Sequence, residues 1–300
     1  MAAPSAGTSN CTTGGGGATL TPVSRSEHTR VARSVHHYLV LEAGKDADVV
    51  VHLAFIVVGA SDRTRDINLE GSRNVFRAAV QAGAKRLVYT SSVAAYGFHA
   101  DNPQPLTEDV PTRGTDAHYY SAQKAELEAT LFEQVAGSQI DTYVFRPCIV
   151  AGPEAQTMLQ EIPYFRLGEA MPDAVARLLG SLPVLKPVLP DPGTRFQLVH
   201  EEDVASAFVQ GVRGVGEPGP YNLAGGGTLT LSDLADALGW YSVPVPRLAL
   251  EATAEIATRL PLLPDSVSWL HSVRKPVLMK TDRARMQLKW RPRHTSPNTL

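Results

Sequence analysis

Hydrophobic and polar positions change their rhythm along this chain, and the changes mark its elements. From Met1 to Pro22 the residues are mostly Ala, Gly, Ser and Thr, with a run of glycines from Gly14 to Gly17 and almost no large apolar side chain. Such a stretch buries too little apolar surface to offset the entropy of ordering it, so residues 1–46 read as a low-complexity, poorly ordered segment with a weak helical pattern at Val31–Val35. Order begins at Asp48. Asp48-Val49-Val50-Val51-His52-Leu53-Ala54 is a short, continuous, β-branched run, the pattern of a strand buried on both faces of a parallel sheet. A helical period then runs from about Thr64 to Ala82 and ends at Gly83, a residue suited to a C-cap. Arg86–Ser91 reads as the next strand, a helix spans about 117–134, and Asp141–Pro147 reads as a third strand.

Alternating strands and helices imply right-handed crossovers and an α/β fold with a doubly wound parallel sheet. Ligands of such sheets sit beyond the carboxyl ends of the strands, where His52-Leu53-Ala54, Ser91-Ser92 and Pro147-Cys148 fall. After Gly152-Pro153 the pattern loosens into short, proline-rich helices. A strand at Arg195–His200, a helix capped by Asp203 and running to about Val212, a short strand at Tyr221-Asn222-Leu223 and a helix capped by Ser232 follow. The expected organisation is a poorly ordered segment at 1–46, a core with the catalytic motif at 47–153, and a small C-terminal α/β lobe at 154–300 interleaved with the last core elements.

The candidate chemistry lies at Tyr120-Ser121-Ala122-Gln123-Lys124. On a helix, positions four apart share a face, so the phenol and the ammonium point into one space. A free phenol has a pKa of about 10, and a neighbouring ammonium is expected to lower it, which would make Tyr120 a proton-transfer group. Tyr120, Lys124, Leu127 and Leu131 form the core-facing stripe, whereas Gln123, Glu126, Glu133 and Gln134 largely occupy other faces. A lysine on an apolar stripe is costly unless its charge has a partner. Asn68 shares a buried stripe with Ser72, Val75, Phe76 and Ala79, and its amide therefore needs partners, either in a site or in a plain structural hydrogen bond.

Composition narrows the alternatives. The chain has 300 residues, 43% hydrophobic and 19% charged, with a net charge of −2. It carries no Lys/Arg-rich run that would fit a nucleic-acid partner. Cys11 and Cys148 have neither a disulfide-framework spacing nor a metal-ligand spacing, which fits a reducing cytoplasm. Cys148 reads as a packing residue, since no base stands near it. His200-Glu201-Glu202-Asp203 lies outside any HExxH or CxxC pattern, so no metal is expected. No apolar window is long enough for a membrane span, and a cytoplasmic location with no membrane partner is the expectation.

Seven segments in order resemble the extended short-chain dehydrogenase/reductase family, in its NAD-dependent epimerase/dehydratase group. They are Asp48–Ala54, Asn68-Leu-Glu-Gly-Ser-Arg-Asn74, Tyr89-Thr-Ser-Ser-Val-Ala-Ala-Tyr-Gly97, Tyr120–Lys124, Arg146-Pro-Cys-Ile-Val-Ala-Gly-Pro153, Val199–Ala205 and Tyr221–Gly225. The resemblance implies a Rossmann-like sheet with a C-terminal substrate lobe, NAD or NADP as cofactor, and NAD(P)-dependent chemistry on a small alcohol or carbonyl substrate. It implies catalytic roles for Ser92, Tyr120, Lys124 and Asn68, with Lys124 holding the nicotinamide ribose. Leu53, Ala54, Ser91, Pro147, Cys148 and Ile149 would lie along the cofactor. It further suggests a homodimer through the 64–82 and 117–134 helices.

The family's glycine-rich phosphate turn has its nearest match at Thr13–Leu20, where Gly14 and Gly17 are the candidate cofactor glycines and Leu20 stands in place of the last glycine. Neither an apolar strand before it nor a helix after it supplies the required context. Only 38 positions separate Gly14 from His52, too few for the intervening helices and strands of a complete first half, so the N-terminal elements of the sheet read as incomplete. A non-catalytic remnant acting as a binding or interaction protein is the alternative function.

Overall fold

A computed structural model describes residues 47–57, 62–116, 118–153, 155, 188–246 and 277–300. The expectations for 1–46, including Gly14, Gly17 and the helical pattern at 31–35, lie outside the described residues. Four strands, β1 (Val49–His52), β2 (Arg86–Thr90), β3 (Asp141–Pro147) and β7 (Gly219–Leu223), form one parallel sheet in the order β1-β2-β3-β7. Val51 stands beside Val88, Tyr89 beside Val144, and Phe145 beside Tyr221.

The continuous apolar runs are explained by what covers each face. Leu87, Tyr89 and Val144 point to one side, where α1 (Asp62–Gln81) and α2 (Tyr119–Val135) bring Leu69, Phe76, Leu127 and Leu131 against them. Val88, Tyr143, Phe145 and Tyr221 point to the other, against α3 (Glu201–Arg213) and residues near the C-terminus, among them Met279, Leu288 and Trp290. Alternation within each strand therefore produces a three-layer, Rossmann-like α/β fold, each layer buried on contact. Gly83 ends α1 with φ +69°, the left-handed conformation expected of a C-cap glycine.

Two short parallel pairs extend beyond the main sheet. β4 (Ile149–Ala151) pairs with β6 (Leu198–His200), and β5 (Val188–Asp191) pairs with β8 (Tyr241–Pro244). Helix α4 (Leu231–Ala237) packs beside β5 and β8, and α5 (Asp282–Met286) lies near β7. The C-terminal residues are tied into the core: Trp290 Nε1 donates to the Asp203 carbonyl at 2.8 Å, and Ser296 Oγ donates to the Leu198 carbonyl at 3.0 Å.

Two helix caps differ from expectation. His200, not Asp203, caps α3, its ring accepting from Glu202 N at 3.2 Å. The Asp203 carboxylate is buried and accepts from the backbone N–H groups of Arg293 and His294, at 2.7 and 3.0 Å. Thr230, not Ser232, caps α4 through a reciprocal capping box with Asp233. In both places the cap falls on the last residue that keeps an extended backbone.

Candidate active site

The site is built where β2 ends. Beyond Thr90 the chain passes through Ser91 and Ser92 into a tight turn, Val93–Tyr96, for which Ser92 is the N-cap, its hydroxyl accepting from Ala94 N at 3.2 Å. Gly97 closes this turn at φ +79°, and a Cβ there would collide with the Gly114 carbonyl, so only glycine fits. Helix α2 starts nearby with His118 as its cap, the ring accepting from Ser121 N. One residue into the helix, half-buried Tyr120 is hydrogen-bonded to Ser92. A turn further on, Lys124 is only 2% exposed; its Nζ donates to the Thr90 carbonyl at 2.9 Å and lies 4.0 Å from the centre of the Phe55 ring. The structure therefore brings Ser92, Tyr120 and Lys124 together.

The electrostatics differ from the expected form. The Lys124 Nζ lies over the Tyr120 ring, 5.7 Å from its centre. Burial pushes the Tyr120 phenol above its ordinary value, and the Ser92 hydrogen bond only partly offsets this. The expectation that the lysine lowers the tyrosine is corrected: desolvation wins, because Lys124 is desolvated as well. Burial drives its pKa down to about 7, with the Glu128 carboxylate acting in the opposite direction.

Asn68 is 3% exposed and ties three elements. Its amide oxygen accepts from Ile56 N at 2.8 Å, and its amide nitrogen donates to the Ile56 carbonyl and to Gln123 Oε1, both at 3.0 Å. It thus fixes the segment after β1 onto α2. Gln123, expected on an outer face, is buried because it completes this link.

The residues expected along a cofactor divide into two groups. Leu53 is 60% exposed, Ile149 is 36% exposed, and Ala54 is exposed, leaving an open apolar surface at the carboxyl ends of β1 and β3. Pro147, Cys148 and Ser91 are buried. Cys148 N donates to the Leu223 carbonyl, burial pushes its thiol well up, and the Ser91 hydroxyl is turned to Glu128. The open apolar surface, the phenol–serine pair and an ammonium with only one hydrogen-bond acceptor among the described residues fit the ribose and nicotinamide end of a dinucleotide. The residues considered for its phosphates, Gly14 and Gly17, lie outside the described part.

Two site-side residues escaped the sequence reading. Glu128 follows Lys124 by four positions on the same face, and Arg146 interrupts an otherwise apolar strand; both signals were present. They form a bidentate ion pair with contacts from 2.6 to 3.1 Å, exposed 1% and 4%. Elsewhere, His200, Glu202 and His294 offer potential ligand atoms within 4.8 Å of one another. The two rings stack at 3.9 Å with only 22° between their planes, so a cation in the plane of one ring lies out of the plane of the other. The Nδ1 of His294 also contacts Asp203 at 3.1 Å and that of His200 accepts the α3 N–H, so the group suits a stacked surface pair better than a metal centre.

A parallel doubly wound sheet of this kind takes its ligands beyond the carboxyl ends of its strands, where Ser92, Tyr120 and Lys124 stand. Residues 35–224 match the NAD dependent epimerase/dehydratase family, and the chain belongs to that family. An uncharacterized protein of Mycobacterium tuberculosis is 26% identical over 259 residues, covering 84% of this chain and 63% of its own length. The chain thus spans about three-fifths of the length of that relative. The 3beta-hydroxysteroid-dehydrogenase/decarboxylase isoform 1 of Arabidopsis thaliana is 31% identical over 127 residues, 41% of this chain and 28% of that one. Among solved structures, the Bordetella bronchiseptica enzyme WbmH in complex with NAD+ has a TM-score of 0.61 at 20% identity, over 89% of this chain and 77% of that one.

Proposed function

We propose that this chain is an NAD(P)-dependent oxidoreductase that interconverts an alcohol and a carbonyl through Ser92, Tyr120 and Lys124. The observation that carries this reading is the meeting of these three side chains at the carboxyl end of β2, next to exposed apolar Leu53 and Ile149. The nicotinamide ring supplies or accepts the hydride when bound. Lys124, with two N–H bonds left after Thr90, holds the ribose hydroxyls. Ser92 orients the substrate oxygen, and Tyr120 moves the proton at that oxygen. Because burial keeps the phenol protonated at neutral pH, the resting site is set to donate a proton, as carbonyl reduction requires.

Asn68 acts beside these residues by positioning Ile56 and α2 rather than by touching substrate. A small hydrophobic alcohol or carbonyl compound, of the kind named in the Arabidopsis relative, is as plausible a substrate as a sugar nucleotide. A cytoplasmic enzyme, paired through α1 and α2, whose outward faces expose Ile67 and Phe132, completes the proposal. No helix among the described residues is long and apolar enough to cross a membrane.

Binding of NADH and NADPH followed by nicotinamide fluorescence, together with turnover of steroid ketones and nucleotide sugars, tests the reading. Tyr120→Phe is expected to keep cofactor affinity and lose roughly 10²-fold or more in kcat. Absence of cofactor binding by the parent chain would favour the non-catalytic alternative, and full activity of Tyr120→Phe would remove the tyrosine from the chemistry.

A further inference from the structure

Beneath the candidate site lies a polar network whose central members, Glu128 and Arg146, are 1% and 4% exposed. Arg146 Nε reaches both Glu128 oxygens, at 3.0 and 3.1 Å, and Nη2 reaches Oε2 at 2.6 Å. Ser91 Oγ donates to the same carboxylate. On the other side, Arg146 Nη1 donates to Tyr96 OH at 2.8 Å and to the Glu108 carbonyl at 3.3 Å, and Tyr96 OH donates to Asn222 Oδ1 at 2.7 Å. Asn222 N in turn donates to Glu108 Oε1 at 2.9 Å.

Stability alone does not account for such a pair. Burying two charges has a desolvation cost that their attraction barely recovers, and a well-packed apolar replacement is often equally stable or more so. What the pair does supply is fixed geometry, and its position makes that geometry relevant. Ser91 adjoins Ser92. Glu128 stands one helical turn beyond Lys124. Arg146 immediately precedes Pro147-Cys148-Ile149. The three segments that carry the candidate chemistry therefore meet on one carboxylate–guanidinium contact, reached through the buried side chains of Ser91, Glu128 and Arg146.

We infer that Glu128 and Arg146 are positioning residues: together they lock the end of β2, the Lys124 turn of α2 and the end of β3 in register, so that Ser92 and Lys124 face the nicotinamide end of the cofactor. The inference rests on the proposed function for the identity of that ligand, but the lock itself concerns this chain alone. Glu128 also acts on Lys124, its carboxylate partly opposing the larger effect of burial there. The other titratable groups around the lysine are Tyr120 on its own helix, His52 at the end of β1 and Tyr89 on β2.

The test uses the full chain in three forms: parent, Glu128→Gln, and Glu128→Leu combined with Arg146→Met. The first variant keeps size and hydrogen-bonding capacity without the charge; the second replaces the ion pair by apolar groups of similar volume. Two readouts are taken beside thermal unfolding. One is the pH titration of Lys124, followed by NMR of lysine labelled at Cε and assigned by its loss in Lys124→Met. The other is NADH affinity by fluorescence. Positioning predicts a Lys124 midpoint about one pH unit lower in Glu128→Gln, and NADH affinity at least tenfold weaker in the double variant with its melting temperature undiminished. A double variant that is folded, with the parent's NADH affinity, together with an unmoved Lys124 midpoint in Glu128→Gln, would overturn it and leave the pair a structural contact. Should the double variant fail to fold, Ser91→Ala cuts the tie to β2 while sparing the ion pair, and the same two readouts decide. If the parent itself binds no NADH, the proposed function falls, while the Lys124 titration still judges the lock.

Discussion

Lys124 is a buried cation inside an apolar layer, and replacing it by methionine measures what that placement costs the fold. Its ordinary pKa of 10.5 falls to about 7 in the folded chain. The unfolded chain therefore binds more protons between these values, so stability rises with pH across that window and the full penalty applies below pH 7. At about 1.4 kcal/mol per pH unit, and with half of the folded molecules charged at pH 7, the penalty there is about 4 kcal/mol. Methionine removes it. It also removes the bond to the Thr90 carbonyl and the ammonium's contact with the Phe55 ring, which together return about 2 kcal/mol.

Lys124→Met is thus expected to be about 2 kcal/mol more stable than the parent at pH 7, although it loses the proposed ribose ligand. The advantage shrinks steadily as the pH rises towards 9.5, because the parent sheds its proton and its penalty together. Chemical denaturation followed by circular dichroism at several pH values gives the comparison. The decisive quantity is the difference between the two proteins, since Tyr89, Tyr96 and Tyr120, each raised above the ordinary tyrosine value by burial, are present in both. Identical slopes of stability against pH in parent and variant between pH 7 and 9.5 would refute the argument: Lys124 would then be as freely ionised in the fold as in water.

Two further outcomes follow from the same physics. His52 is 7% exposed, bonded to Ser72 at 2.9 Å and stacked on Tyr89, and burial, with Lys124 adding to it, lowers its pKa from 6.5 to about 4. The unfolded chain protonates first as the pH falls, so up to about 3 kcal/mol of stability is lost between pH 6.5 and 4, a slope that His52→Asn should abolish in acid-unfolding curves. At the other end of the chain, deleting residues 1–22 should change neither the melting temperature nor NADH affinity beyond error, given their glycine-rich, apolar-poor sequence; a loss of binding, there or in Gly14→Val, would identify Thr13–Leu20 as a working phosphate loop.

The parts of this fold that could be read in the sequence are those in which one local pattern has one structural outcome. Val49-Val50-Val51 and Tyr143-Val144-Phe145 are apolar without interruption because helices cover both faces of the sheet; a helix of that length would have shown a polar side. Gly83 marked a helix end because its backbone conformation excludes other residues at little cost to glycine. That Ser92, Tyr120 and Lys124 come together was legible because four-residue spacing on a helix and the end of a parallel strand both have fixed geometric meanings. The phenol's ionisation was not legible. A distance of four residues brings Lys124 near Tyr120, but only the packing of Phe55 and Tyr89 around Nζ shows that both groups are desolvated and that burial prevails over charge.

The remaining misses have a common origin in partners far away along the chain. Asp203 looked like a helix cap because it is a short acid at a strand-to-helix corner, yet its carboxylate is taken by Arg293 and His294, some ninety residues on. The cap then falls to His200, whose backbone is still extended where β6 ends. Gln123 was assigned to an outer face by period, and Asn68 of α1 draws it inward. Glu128 and Arg146 each break an apolar pattern, and taken singly each looks like a defect in its element. Only their meeting makes either one sensible, since an unpaired charge at 1% or 4% exposure would cost several kcal/mol. A charge on a buried stripe is therefore evidence of a second one elsewhere. In this chain the search for the partner of Glu128 ends at the single arginine of β3, directly before the residues that line the candidate site.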